Sequence, residues 1–295
     1  MKLFCIDTCV LIDIANRLYD EENDIISTLD YLVETQKIRL VFPEVIREEW
    51  NRNKKKEVID KLGTVIKETT KKFNELKPYM KTEDSNLLQT HLVNLRSDES
   101  KIAKMIDYNI SRIEKLFTKP QNIHVNIDDT HLNIAAGLAY KKKKPFANNK
   151  NSMADALILI SAVDYAQKSD LELYFATLNK KDFSDKNDND LHADLVELIQ
   201  NGINGSVGYL NFKMNYTINL ASTINKLHPN SVSKDLEISM LESSSVYHQF
   251  RDTMDCSKCG GDTYGSWKMS MYGGLTWQFY CPSCRLNFDT GESFD

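Results

Sequence analysis

Short, largely apolar runs alternate with amphipathic segments over the first two thirds of this 295-residue chain, and that alternation constrains the fold more than any other feature. KLFCI (2–6) reads as a buried strand ending at Asp7, with a helical pattern following through residue 19. Residues 24–36 form an amphipathic helix, and IRLVFP (38–43) is a second strand. Pro43 opens the next helix, where its missing N–H costs nothing. Residues 129–143 predict a helix after Asp128 that ends in KKKKP, and NNKNSMADALILISAVDYAQ (148–167) a helix apolar on nearly every face. LELYFATLNKKDF (171–183) is strand then turn, and LHADLVELI (191–199) is a closing helix. Strands separated by helices imply an α/β fold with a central parallel sheet covered on both faces, a three-layer architecture.

Two regions depart from this rhythm. Residues 51–118 are long, charged and helix-periodic, which marks a helical insertion. Its first part, 51–81, holds ten Lys/Arg against four acids at 57, 60, 68 and 75, enough for ion pairs on a solvated face. NGINGSVG (201–208) marks a boundary, so a first domain is expected over 1–205, a connecting segment over 206–250 and a separate small unit over 251–295. Within the connecting segment YLNFKMNYTINL is strand-like, and the residues after it read as weakly structured linker.

The hydrophobic fraction of 41% and charged fraction of 27% describe an ordinary globular protein. The apolar start resembles a signal peptide, but Asp7 and Asp13 interrupt it, and no later run is long enough to span a membrane. A formal net charge of −5 argues against blanket binding of polyanions and leaves local basic patches open. Cys5 and Cys9 read as buried thiols, and the cysteine usage suits a reducing, cytoplasmic setting better than a disulfide framework.

In a parallel sheet, sites gather outside the carboxyl ends of the strands. Asp7 follows the first strand, and Glu48 and Glu49 sit early in the helix after LVFP. Asp155 lies in the first turn of the buried helix, and Asn179 and Asp182 follow LYFAT. Asp155 also has a bland reading, as the acid of a capping box begun by Ser152. Three or four carboxylates packed together repel unless a cation sits among them, and hard oxygen donors select Mg²⁺ or Mn²⁺.

FCIDTCVLIDI, FPEVIREEW, NSMADALILI and FATLNKKDF, in this order, resemble the PIN-domain nucleases over roughly residues 1–200. KKPFANNKNSMADALIL and LHADL are most similar to the branch with a long helical insertion. The resemblance implies a PIN-like fold and metal-dependent hydrolysis of phosphodiester bonds. It makes Asp7 the first acid of the site and Asp155 the third. It makes Glu49 the second, because it stands six residues after Pro43 and just before Trp50, with Glu48 the alternative. At the fourth position many members carry Asp where this chain has Asn179, with Asp182 three residues on. RNA is the substrate class most often met in the family, and DNA stays open. A defence, toxin-like or RNA-processing role would follow. The alternative from another class is a non-catalytic RNA-binding or assembly module, kept open by Asn179.

Lys141–Lys144 and Lys150 lead into the loop before Asp155 and are candidates for touching phosphates, although cations also suit a helix end for dipole reasons alone. Near the C-terminus CSKC (Cys256, Cys259) and CPSC (Cys281, Cys284) are separated by 21 residues, a spacing that predicts one tetrahedral Zn²⁺ site in a small β zinc ribbon. TYGSWKMSMYG and LTWQFYC are its expected strands. Trp267, Tyr272, Trp277 and Tyr280 suit either base stacking or a small core with a protein-docking face.

Overall fold

Lys2–Ile6 (β1) is enclosed by neighbours on both sides, the environment its apolar run from Leu3 to Ile6 requires. A computed structural model describes residues 1–17, 25–146, 152–185, 190–203, 212–229, 231–234, 236, 240, 264–269, 275–280, 284 and 287–294. They belong to two compact units, Met1–Met240 and Leu241–Asp295.

In the first unit β1 pairs in parallel with Ile38–Pro43 (β2) on one side and Leu173–Ala176 (β4) on the other. Ile123–Val125 (β3) extends the sheet beyond β2, and Met214–Thr217 (β5) extends it beyond β4, both in parallel. The order β3-β2-β1-β4-β5 reverses direction between β1 and β4, which places the topological switch point at the carboxyl ends of those two strands. The parallel α/β class expected from the alternation is the observed one.

Helices Thr8–Ala15 (α1), Ile25–Glu34 (α2), Glu44–Lys54 (α3), Asp129–Tyr140 (α6), Met153–Ser169 (α7) and Ala193–Gln200 (α9) pack around this sheet. α7 is buried from Ala156 to Asp164 because both α6 and the sheet cover it. Its three buried polar side chains are satisfied, Ser161 donating to the Leu157 carbonyl at 2.6 Å. Asp164 accepts from Lys168 at 2.6 Å and lies 3.2 Å from His131 Nε2, and Gln167 bonds the backbone of Ile199 and Ile203. His131 in turn closes a capping box with Asp128 at the start of α6.

The insertion is helical as expected. α3 runs through a π-helical stretch, Lys55–Ile59, into Lys61–Leu76 (α4), which turns back into the 37-residue helix Thr82–Thr118 (α5). The second half of α5 docks on the domain through Ile106, Ile113, Leu116 and Phe117, and Phe117 makes edge contacts with Phe42 and Trp50.

The sequence expectation for residues 206–250 differs from what is observed. Met214–Thr217 is the fifth strand of the central sheet, and Leu220–Leu227 (α10) buries Leu220, Ala221 and Ile224 in the same core. Val232, Leu236 and Met240 follow them, so the first unit continues to Met240. β3 has no counterpart in the sequence reading: it is three residues long and carries a histidine at its centre.

The second unit contains an antiparallel sheet of Tyr264–Met269 (β6), Leu275–Tyr280 (β7) and Asn287–Phe294 (β8), in that order. Two of these strands were expected, and Trp267 pairs in register with Trp277. Cys256, Cys259 and Cys281 lie outside the described residues, whereas Cys284 sits in a turn between β7 and β8. Among the described residues no helix is long and apolar enough to cross a membrane.

Candidate active site

Asp7 is the first residue after β1, and its carboxylate is carried into the sheet edge rather than out to water. Thr177, the first residue after β4, donates from Oγ1 to Asp7 Oδ2 at 2.6 Å. Cys9 Sγ donates to the same oxygen at 3.2 Å. These two residues and the backbone N–H groups of Thr8 and Cys9 favour the charged carboxylate, yet burial outweighs them and holds the Asp7 pKa above its ordinary value. Burial, reinforced by the Asp7 charge, likewise pushes the Cys9 thiol well up, so it serves as a neutral donor.

Glu49 reaches the same edge from α3. Trp50 beside it is buried and donates to Glu114 Oε1 at 3.2 Å, while Lys54 binds that oxygen at 2.6 Å, so α3 is fixed in rotation against α5. That rotation turns Glu49 toward the start of α1, where Thr8 Oγ1 donates to Glu49 Oε2 at 3.0 Å. Arg52 stands 3.7 Å from its other oxygen. Glu48 is exposed, so of the two glutamates Glu49 is the one joined to the Asp7 segment.

Asp155 and Asp182 form the far side. Asn179 Nδ2 donates to Asp155 Oδ1 at 3.2 Å and to Asp182 Oδ2 at 2.8 Å. The backbone N–H of Asn179 is held by Thr177 Oγ1 at 3.0 Å, so Thr177 links the Asp7 side of the network to the Asn179 side. Ser152 makes no cap bond to α7. Its hydroxyl, fully buried, points to Asp182 Oδ2 at 3.5 Å, and the capping-box reading of Ser152 and Asp155 gives way to this contact. Asn179 turns its amide NH₂ to both carboxylates, where a carbonyl oxygen would be repelled, and so bridges Asp155 and Asp182.

Four chain segments therefore meet at the switch point, linked by Thr8, Thr177 and Asn179. Their donor atoms are carboxylate oxygens, which match a hard divalent cation in chemistry. Among the described residues no three His, Cys, Asp or Glu side chains are drawn together tightly enough to hold one ion as they stand.

A model of the PIN domain matches residues 4–183, more than half of the chain and the segment that carries all of these groups. The chain belongs to the PIN domain family. PIN domains are generally nucleases, bind nucleic acid and typically use Mg²⁺ or Mn²⁺. No curated protein and no solved structure matches the chain.

The lysines are placed less uniformly than their run suggests. Lys143 Nζ pairs with Glu197 at 2.7 Å, which raises its pKa, and Lys144 gives its backbone N–H to Asp194 and its ammonium to the carbonyl of Lys181. These two tie the segment after α6 to α9 and to Lys180–Phe183 (α8). Lys141 and Lys142 are exposed, and Lys150 lies outside the described residues. In the insertion, Lys56, Lys61 and Lys71 pair with Glu57 or Glu75, as a solvated face would.

Reasoning from sequence missed Thr8, Cys9 and Thr177 as site residues. Their one signal was position: each stands within three residues of the end of β1 or β4.

Proposed function

We propose that this PIN-domain protein is a Mg²⁺- or Mn²⁺-dependent endoribonuclease. The observation that carries the reading is the Asp7–Thr177–Asn179 chain of hydrogen bonds, which ties carboxylates from separate segments to the switch point of the sheet. Asp7, Glu49, Asp155 and Asp182 would hold the cation. When bound, it supplies a Lewis acid that activates water and stabilises charge on the phosphate. The chain's own part is to keep the donors fixed. Thr177 and Cys9 aim Asp7, Thr8 aims Glu49, and Asn179 spaces Asp155 from Asp182. Burial of Asp7 leaves a carboxylate whose charge is poorly compensated, which a neighbouring cation would relieve.

For the second unit we propose one Zn²⁺ held by Cys256, Cys259, Cys281 and Cys284. Support comes from the paired Cys-x-x-Cys spacing and from the small antiparallel sheet, in which Cys284 sits in the turn between β7 and β8. The ribbon's occupant is a nucleic acid or a protein. A cytoplasmic location is part of the same proposal, resting on the cysteine usage.

One observation favours a second reading, a PIN module that binds RNA without cutting it. Asn179 already satisfies two of the acids with its amide. The test is to incubate the full chain with single-stranded RNA and DNA, with Mn²⁺, with Mg²⁺ and with chelator. Metal-dependent internal cleavage of RNA is the expected result. Cleavage that survives chelation would refute the metal chemistry, cleavage of DNA alone would move the substrate class, and binding without cleavage would establish the second reading.

A further inference from the structure

The hairpin of α4 and α5 leaves an apolar strip uncovered along one side. The helices pair antiparallel, with Lys77 Nζ 3.3 Å from Gln89 Oε1 and Arg96 Nη2 3.1 Å from Thr70 Oγ1. Their seam is thin: α4 buries Ile66 and Phe73, and α5 buries no residue between Asn86 and Met105. Val65, Leu76, Leu87, Leu88 and Leu95 are each between 44% and 59% exposed. Val65 and Leu76 lie about 60–100° to one rotational side of the seam residues Ile66 and Phe73, and Leu88 and Leu95 lie about 40–60° to the same side of Leu92. In antiparallel helices an equal rotational sense puts both sets on one side of the pair.

Charge on that side is divided between the helices. On α4, Lys61 and Lys72 alternate with Val65 and Leu76 at steps of four and seven residues. Glu68 lies between the two lysines on the same edge and Lys61 stands 3.6 Å from Glu57, so the edge is net basic through Lys72. On α5, Asp84 and Asp98 flank Leu88 and Leu95 on the same face. Among the described residues Lys72, Asp84 and Asp98 make no ion pair, and all three are exposed. The opposite side differs in kind: Lys67, Lys71 and Arg96 line a groove there with Glu99. The strip thus presents a basic-edged apolar helix beside an acidic-edged one, a surface complementary to itself under two-fold rotation.

We propose that this side of the hairpin is a homodimer interface, in which a second copy of the chain docks α4 against the first copy's α5 and completes a four-helix bundle. The two-fold axis runs along the hairpin, so the lysine-edged helix of each copy faces the aspartate-edged helix of the other.

Sedimentation velocity on the full chain across a dilution series tests this. The wild type should sediment at twice the 33.9 kDa chain mass at high concentration and dissociate on dilution. Leu88→Glu/Leu95→Glu should be monomeric with unchanged helix content. In case that variant does not fold, a charge exchange supplies an independent measure. Lys61→Glu/Lys72→Glu and Asp84→Lys/Asp98→Lys should each be monomeric alone, and an equimolar mixture should recover the dimer mass. A monomeric wild type overturns the proposal, as does a dimer that survives all of these variants or a mixture that stays monomeric. A monomeric wild type whose Lys61→Glu/Lys72→Glu variant loses affinity for a single-stranded oligonucleotide would assign the face to nucleic acid instead.

Discussion

The hydroxyl of Thr177 donates to the buried carboxylate of Asp7 at 2.6 Å and, from the same oxygen, accepts the backbone N–H of Asn179. One side chain thus favours the charged form of the first acid against its burial and holds the residue that spaces two others. Removing the hydroxyl with Thr177→Val should raise the Asp7 pKa further, because a hydrogen bond to the charged form is lost. Hydrogen bonds to charged groups are worth about 1.5–3 kcal/mol. The acid limb of the pH–rate profile for RNA cleavage should move to higher pH. An unmoved limb would mean that Thr177 does not tune Asp7.

Asp7 should also cost the metal-free fold stability. Burial raises its pKa above the ordinary value, so the folded chain binds this proton more tightly than the unfolded chain does. Stability from this group is therefore greatest below the unfolded carboxylate pKa, about 3.9, and falls as pH rises through the raised value. Asp7→Asn, which keeps an oxygen to accept from Thr177, should melt higher than wild type at pH 7 in chelator. The difference should shrink toward pH 4. Added Mn²⁺ should raise the wild-type Tm more than the variant's. A variant that melts lower at pH 7 would show that the carboxylate is compensated in the fold.

Glu49 and Glu48 are neighbours with opposite surroundings, one held by Thr8 and the other exposed. Glu49→Gln should reduce single-turnover cleavage by more than the ~10–100-fold typical of losing an outer partner of a metal ligand. Glu48→Gln should change it by about twofold at most, since an exposed residue away from the site contributes little. Asp155→Asn should behave like Glu49→Gln and leave the melting temperature near wild type. If Asp155→Asn instead lowers Tm and spares cleavage, its carboxylate serves the helix and not the reaction.

Much of this was legible in the sequence because burial on two faces leaves a mark. β1, β2 and β4 are dominated by apolar residues, interrupted only by Lys2 and Arg39, and each is followed directly by a polar residue. Asp7 and the Asn179–Asp182 turn were noticed for that reason, whereas Glu49 and Asp155 were singled out through the resemblance to the PIN-domain nucleases. β3 left no such mark, being short and at the sheet's edge. β5 was read as a strand but assigned to a linker, because Met214–Thr217 is half-exposed and follows a Gly/Asn-rich stretch. The roles of Thr177 and Asn179 were not legible at all, since they depend on which side-chain atom faces which, and that is decided by packing between β1 and β4. Glu114 illustrates the same limit: it fixes the helix bearing Glu49 from 65 residues away through Trp50.

The extent of the first unit makes a different test. Leu220, Ala221, Ile224, Val232, Leu236 and Met240 are all buried in the main core, and β5 covers the edge of β4. A chain ended after Met240 should melt cooperatively, whereas one ended at residue 205 should not, having lost a strand and six core residues. Metal analysis should find one Zn²⁺ per full chain and none in the 1–240 fragment. Zinc retained by that fragment would place its ligands outside the four cysteines.

The last test separates the lysines that structure occupies from those it leaves open. Lys143 and Lys144 hold the segment after α6 through Glu197, Asp194 and Lys181, so their ammonium groups are already engaged. Lys141 and Lys142 stand exposed at the end of the same helix. A phosphate contact on a single strand contributes about 0.7 to the slope of log affinity against log salt. Lys141→Gln/Lys142→Gln should therefore flatten that slope by up to about 1.4 and weaken RNA binding by a similar factor on any sequence. Lys143→Gln/Lys144→Gln should leave the slope near wild type and lower the melting temperature, because it loosens the tie to α9. Turnover at saturating RNA should change little in the first variant, whose carboxylates are untouched. Fluorescence anisotropy on a labelled RNA across a salt series reads both slopes. Equal slopes in wild type and Lys141→Gln/Lys142→Gln would return the whole run to the class of solvated helix ends, and the polyanion would have to be held by another patch of a chain whose net charge is −5.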